Sequence, residues 1–285
     1  MNDMFKLKSL IKEDNKIIVF VGTSKNGTSF IVNHLAQIFA SSGINTAILD
    51  MTRNKNSFYI YTRNNDTMRN ITENTMKNLD KGIAEGIKVK NNLTVYTSVP
   101  ENPIDTVEPE NILTTLVKNH SLILIDCDFE TDPSYFLGSQ EICLVQSMDV
   151  LTIQPLTKFL YQLTKSKCLD TNKIRIIINK KTKLNALEDK YIVSGLANYN
   201  DPMMRYIKPI FDASRVKVNT ISLNEKVYIK YLNGLIDFNI SISGYPSKIV
   251  REFEELAKSI YKQHSKKSFI SPINIFKSSN KLIDE

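Results

Sequence analysis

The chain has 285 residues, with 37 basic side chains against 30 acidic ones and a net charge of +7 at pH 7. At 42% hydrophobic and 24% charged it can bury a full core, which excludes a collagen-like repeat or an intrinsically disordered chain. The mild basic excess suggests an anionic partner rather than a dedicated nucleic-acid coat, and its location matters more than its size.

Residues 1–15 read as an N-terminal extension. They hold no apolar stretch of signal-peptide length and no small-residue cleavage site. Nowhere do about 18 apolar residues run together, so no membrane-spanning helix is expected. The first strand candidate is Lys16–Val21 (KIIVFV), followed by Asn45–Leu49, Leu93–Tyr96, Ser121–Ile125, Ile142–Val145 and Lys173–Ile178, with a weaker one near Met204–Ile210. Several are apolar at consecutive positions, which suits strands buried on both faces of a parallel sheet. Helical stripes lie between them at Ser29–Ser41, Asn111–Lys118, Pro155–Thr164, Glu225–Tyr231 and Ser247–Gln263. This alternation predicts an α/β fold, a doubly wound and mostly parallel sheet with helices on both faces, as in P-loop NTPases, over residues 16–263. Residues 51–90 interrupt the rhythm as a polar, Asn-rich insertion of turns and short helices. Within it Phe58-Tyr59-Ile60-Tyr61 is an apolar patch, read as an interface or as a turn packing back on the domain. Residues 264–285 read as a basic, loosely ordered tail.

The three cysteines, Cys127, Cys143 and Cys168, are too few and scattered for a disulfide framework or a Cys-x-x-Cys metal site. Cys127 and Cys143 sit in apolar runs as small hydrophobes. His34, His120 and His264 share no ligand spacing. The informative segment follows the first strand, where Gly22-x4-Gly27-Thr28-Ser29 leads into a helix. Backbone N–H groups and the positive end of a helix dipole converge on a phosphate at such a turn. The spacing is that of the Walker A loop, with Thr28 where the lysine belongs. Any strand-to-helix turn also favours glycine and a Ser or Thr cap, so the spacing alone leaves both readings open.

The motifs in order resemble the MinD/ParA family of deviant Walker A ATPases, and within it the CpaE/TadZ branch of pilus-localisation proteins. GTSFIVNHLA, beginning at Gly27, is similar to that branch's GTTTLAVNLA, and SSGINTAILD, ending at Asp50, to the family's GxxVLLIDxD. Leu122–Asp126 (LILID) resembles a Walker B strand, with CDFETDP after it in the place of switch II. Glu141–Leu160 resembles the family's next strand and helix, and IRIIINKK places Asn179 at its adenine-contacting position. The resemblance covers roughly residues 16–240.

It implies ATP held by Gly22, Lys25, Asn26, Gly27, Thr28, Ser29 and Asn179, and Mg²⁺ held by Ser29 and Asp126. It also implies catalytic carboxylates at Asp50, Asp126 and Asp128, although acids at strand ends equally serve as turn formers and caps. A homodimer is implied, docking on a protein partner of a positioning, secretion or pilus system. The expected location is cytoplasmic, peripheral at the inner membrane face. The departures are equally specific: the family's signature lysine position is Thr23, Lys25 lies two residues later, and the water-orienting second acid is Thr52. Phosphoryl transfer depends on positioning and charge neutralisation, so hydrolysis is expected to be weak or absent. The alternatives are a nucleotide-free scaffold for a secretion, pilus or conjugation machine, and a DNA-partitioning protein.

The charge is concentrated. Residues 165–183 carry seven bases (Lys165, Lys167, Lys173, Arg175, Lys180, Lys181, Lys183) against Asp170 alone, and residues 245–285 carry eight bases against five acids. A basic face of this kind would meet DNA or an anionic membrane, unless it is a solvated helix face with loop lysines.

Overall fold

The computed structural model describes residues 15–63, 65–100, 107–185, 187–201, 203 and 208–261. The expected N-terminal extension, apart from residue 15, and the basic tail lie outside them. Eight strands form one sheet: β1 (Lys16–Gly22), β2 (Thr46–Asp50), β3 (Ile87–Lys90), β4 (Leu93–Tyr96), β5 (Leu122–Cys127), β6 (Glu141–Gln146), β7 (Ile174–Lys181) and β8 (Lys217–Ser222). Their spatial order is β3-β4-β2-β5-β1-β6-β7-β8, parallel throughout except for the antiparallel β3–β4 pair. The described helices are α1 (Thr28–Ser41), α2 (Asn56–Thr62), α3 (Asp66–Asp80), α4 (Pro109–Asn119), α5 (Pro133–Gly138), α6 (Ile153–Lys165), α7 (Asp189–Ala197), α8 (Glu225–Ile236) and α9 (Ser247–Ile260). None is long and apolar enough to cross a membrane.

The central strands have apolar runs because each side chain finds a helix layer. On β1, Ile17, Val19 and Val21 pack into one core with α4 to α7, while Ile18 and Phe20 pack into the other with α1 and α9. All five are fully buried, as a doubly covered parallel sheet requires. Cys127 and Cys143 are buried among them as thiols.

Two features differ from the sequence reading, and a third decides between its two alternatives. The weak strand near Met204–Ile210 is not one at residues 208–210, and residues 204–207 lie outside the described set; the last strand among the described residues is β8. The insertion contains a 15-residue helix, α3, and the edge strand β3. Its aromatic patch packs inward from α2, with Phe58, Ile60 and Tyr61 buried and Tyr59 exposed.

The basic stretch does not form one face. Lys165, Lys167 and Lys173 lie at the start of β7, and Lys180, Lys181 and Lys183 at its end. An eight-residue strand separates its ends by about 26 Å. Arg175 between them is 2% exposed and joins Glu141, Asn219 and Ser259. Lys173 donates to the Ser139 carbonyl and Lys181 pairs with Asp189. Lysines gathered in sequence are thus dispersed by a strand, and the tail's bases lie outside the described residues.

Candidate functional site: a phosphate-loop pocket

The carboxyl ends of β1, β2, β5, β6 and β7 meet where the strand order reverses around β1, the usual binding crevice of an open α/β sheet. Register brings Asp50 beside Asp126 and Gly22 beside Val145. A cavity of about 800 Å³ opens there, within the size range of small-molecule sites. Gly22, Lys25, Gly27, Thr28, Ser29, Asp126, Asp128 and Asn179 all line it.

The loop is shaped by contacts that only these residues allow. A Cβ on Gly22 would lie 2.4 Å from the Val145 carbonyl oxygen and 2.8 Å from Thr28 Oγ1. Gly27 has φ of 92°, in the left-handed region, and a Cβ there would lie 2.3 Å from Asn179 Nδ2. Asn179 donates to the Asn26 carbonyl at 2.8 Å, and Lys180 to the Lys25 carbonyl at 2.8 Å. Gly27 offers no side chain to cap α1, so the N–H groups of the first turn face the cavity with their dipole unopposed.

The candidate residues divide by where their side chains point. Asn26 is 2% exposed and turns inward: Oδ1 accepts from Ser147 Oγ at 2.8 Å, and Nδ2 donates to Thr152 Oγ1 at 3.2 Å and Gln146 Oε1 at 3.4 Å. It is a staple of the loop, and its side chain is not part of the cavity wall. Thr23, at the signature position, lines the cavity, but its hydroxyl is spent on the Thr152 carbonyl at 2.9 Å. Asp50 is fully buried and occupied with its own turn: Oδ1 accepts from Thr52 N at 3.0 Å and Thr52 Oγ1 at 2.6 Å, and Oδ2 from Ser57 N at 2.8 Å. That is the turn-forming role, not a face toward the cavity. Asp128 lines the cavity while accepting from Arg53 N at 2.5 Å and Glu130 N at 2.9 Å.

Asp126 is the exception. It is 1% exposed, and neither carboxylate oxygen has a hydrogen-bond partner. Its pKa is pushed well above the ordinary 3.8 by burial first and then by Asp50, with Ser29 pulling the other way and Asp128 and Lys55 contributing less. A buried acceptor left unpaired is costly, so its persistence at a cavity wall marks a place where a cation or donor fits. Ser29 lies beside it, its hydroxyl close enough to draw the Asp126 pKa down while accepting from Asn56 Nδ2 at 3.4 Å. No group of three or more His, Cys, Asp or Glu among the described residues could hold a metal alone. Ser29 and Asp126 fit a magnesium ion that also takes phosphate oxygens, in keeping with its preference for few protein ligands.

Sequence reasoning missed two groups. Lys55, 4% exposed, donates to the Asp50 carbonyl at 3.0 Å and lies in the field of Asp50, Asp128 and Asp126; burial lowers its pKa. It gives the acid cluster a buried counter-charge, yet nothing in TRNKN distinguishes it from a surface lysine. The other is the start of α8, whose Val227, Tyr228, Tyr231 and Leu232 form an apolar wall of the cavity.

No protein-family model matches the chain, and no curated protein matches it in sequence. Solved structures share its fold. A Borrelia burgdorferi plasmid partition protein bound to AMPPNP superposes with a TM-score of 0.57 at 17% identity, over 87% of this chain and 98% of the other. The MinC:MinD cell division complex of Aquifex aeolicus gives 0.63 at 12% identity over 89% and 98%. The septum site-determining protein MinD of Pyrococcus horikoshii, complexed with Mg-ADP, gives 0.55 at 15% identity over 87% and 96%. The chain therefore has the fold of the MinD and ParA ATPases.

Proposed function

We propose that this chain binds ATP and Mg²⁺ at the Gly22–Ser29 loop and acts as a nucleotide-dependent positioning or assembly protein of the CpaE/TadZ type. The observation that carries the reading is Asp126, a buried carboxylate without partners beside Ser29 at an uncapped helix N-terminus. In it, loop N–H groups hold the phosphates, Ser29 and Asp126 hold the metal, and Asn179 meets the base. The metal would supply the positive charge that the loop lacks. Asp128, pinned by two backbone N–H groups, is the remaining acid at the phosphate end.

Hydrolysis is slow or absent in this account. Thr28 and Thr23 stand where the two lysines would be, Thr52 replaces the second acid, and Asp50 is spent on its turn. One arginine finger alone is worth about 10³–10⁵ in rate in GTPases, which sets the scale of such losses. Output then comes from binding. Along the cavity wall Leu223 is 54% exposed, Tyr228 51% and Leu232 39%, an apolar rim suited to a second copy or a partner protein. The location that goes with this proposal is the cytoplasm, peripheral at the inner membrane face.

A second reading, a scaffold that has lost nucleotide chemistry, is favoured by the Thr23 hydroxyl being spent on the Thr152 carbonyl. Titration with ATP, ADP and a non-hydrolysable analogue in Mg²⁺, with solution mass and phosphate release followed together, tests the proposal. Binding with ATP-dependent doubling of mass and little turnover supports it. Rapid turnover contradicts the weak-ATPase assignment, and no change at millimolar nucleotide leaves the scaffold.

A further inference from the structure

The α8 residues Val227, Tyr228, Tyr231 and Leu232 line the cavity that Ser29 and Asp126 also line. Two ring contacts place Tyr231 beside the first turns of α1. Its ring meets Phe30, the residue after Ser29, edge-on with centroids 4.9 Å apart, and the His34 ring at 5.8 Å. Burial raises the phenol's pKa, and the Asp126 charge adds to the effect, so the two groups are within electrostatic reach. The hydroxyl makes no hydrogen bond among the described residues although it borders the cavity. Tyr231 is half-buried, so this hydroxyl is free to meet a ligand in the cavity, whereas the fully packed Tyr61 spends its own on Asn33 Oδ1.

From this placement we propose that Tyr231 is a phosphate-positioning residue, its hydroxyl donating to the terminal phosphate group of a polyphosphate bound at the Gly22–Ser29 loop. The helix supplies a neutral donor where the loop lacks its lysines. At the high pKa of this phenol the proton stays on oxygen, so the group donates at any physiological pH. Because the same helix presents Tyr228, Ile229 and Ile236 to solvent, a ligand that grips Tyr231 also orders an exposed apolar face. The inference rests on the polyphosphate-binding part of the reading above and does not need the base.

The test is equilibrium binding of ATP, ADP and inorganic tripolyphosphate, each with Mg²⁺, to wild type and to Tyr231→Phe. That variant keeps the ring against Phe30 and loses only the hydroxyl, and its melting temperature reports folding. A hydrogen bond to a charged group predicts roughly ten-fold to a hundred-fold weaker ATP and tripolyphosphate binding, with a smaller change for ADP. Tyr231→Leu must lose at least as much. Equal affinities in wild type and Tyr231→Phe overturn the proposal while leaving nucleotide binding intact. Tripolyphosphate binding with the Tyr231 dependence, but no ATP binding, supports the proposal and removes the nucleotide reading. Binding of none of the three overturns both.

Discussion

Replacing Asp126 with asparagine tests the site through stability alone. The wild-type carboxyl is 1% exposed with both oxygens unpaired, so the folded state carries the cost of a buried group it does not satisfy, and that cost is greatest when the group is ionised. Such a penalty is about 1–3 kcal/mol, or more for a full charge. Asn keeps the shape and drops the charge, so Asp126→Asn should stabilise the ligand-free protein by about that amount. For a domain of this size 1 kcal/mol corresponds to roughly 2–4 °C, giving a rise in melting temperature of roughly 2–12 °C. The gain should depend on pH in one direction. Because the folded carboxyl titrates above its ordinary 3.8, the folded state binds the proton more tightly than the unfolded chain. Wild-type stability from this group is complete at low pH and is lost as pH rises from the ordinary 3.8 through the folded pKa, so the variant's advantage grows with pH and vanishes in acid. Thermal unfolding followed by dye fluorescence or circular dichroism, with and without Mg²⁺-ATP, reads both effects. Saturating ligand at 100 times Kd adds about 2.7 kcal/mol to wild type and much less to the variant. A ligand-free Asp126→Asn protein that melts below wild type would refute the reasoning, since it would mean that the carboxylate is already satisfied.

Three further predictions concern the loop, a buried histidine and the far end of the sheet. Thr28→Lys restores the charge at the Walker position and should tighten ATP binding by about ten-fold, measured calorimetrically; an unchanged Kd would mean that charge does not limit the loop. Burial holds His34 neutral and brings its pKa down to about 4, with Nδ1 at 2.7 Å from the Phe30 carbonyl and Nε2 at 2.9 Å from Tyr245 Oη. The unfolded chain therefore binds the extra proton first, and stability should fall as pH drops from 6.5 toward 4, by up to about 3 kcal/mol. His34→Gln should flatten that slope in denaturant titrations, and an unaltered slope would assign it elsewhere. Glu141→Gln leaves the buried Arg175 without its counter-charge and weakens the 2.5 Å contact to Lys16, a loss of roughly 3–5 kcal/mol in urea unfolding; a loss under 1 kcal/mol would show that Arg175 is adequately held by Asn219 and Ser259.

What was legible in the sequence follows from where burial is two-sided. Strands β1, β2, β5, β6 and β7 are covered by helices on both faces, and their apolar runs announce them. The edge strands do not. In β8 only Ile221 is buried, and KVNTIS reads as a polar segment; β3 is a four-residue antiparallel edge whose IKVK alternation is lost within the polar insertion. Pairing with β7 and β4 makes them strands, and pairing is a tertiary fact. The glycine loop and Asp126 were legible because their spacing is local. Lys55 and Tyr231 were not, since a left-handed turn and a distant helix bring them to the acid cluster. The basic stretch misled for the converse reason: neighbours along a strand can lie at opposite ends of a domain.

The central claim is that the Gly22–Ser29 loop and Asp126 form a working nucleotide site despite the missing lysines. Its most direct measurement is calorimetric titration of the full chain with a non-hydrolysable ATP analogue, with Mg²⁺ and with EDTA. The account predicts saturable one-to-one binding that needs Mg²⁺ and is abolished by Asp126→Asn. No binding at millimolar analogue, or binding indifferent to both the metal and Asp126, would contradict it.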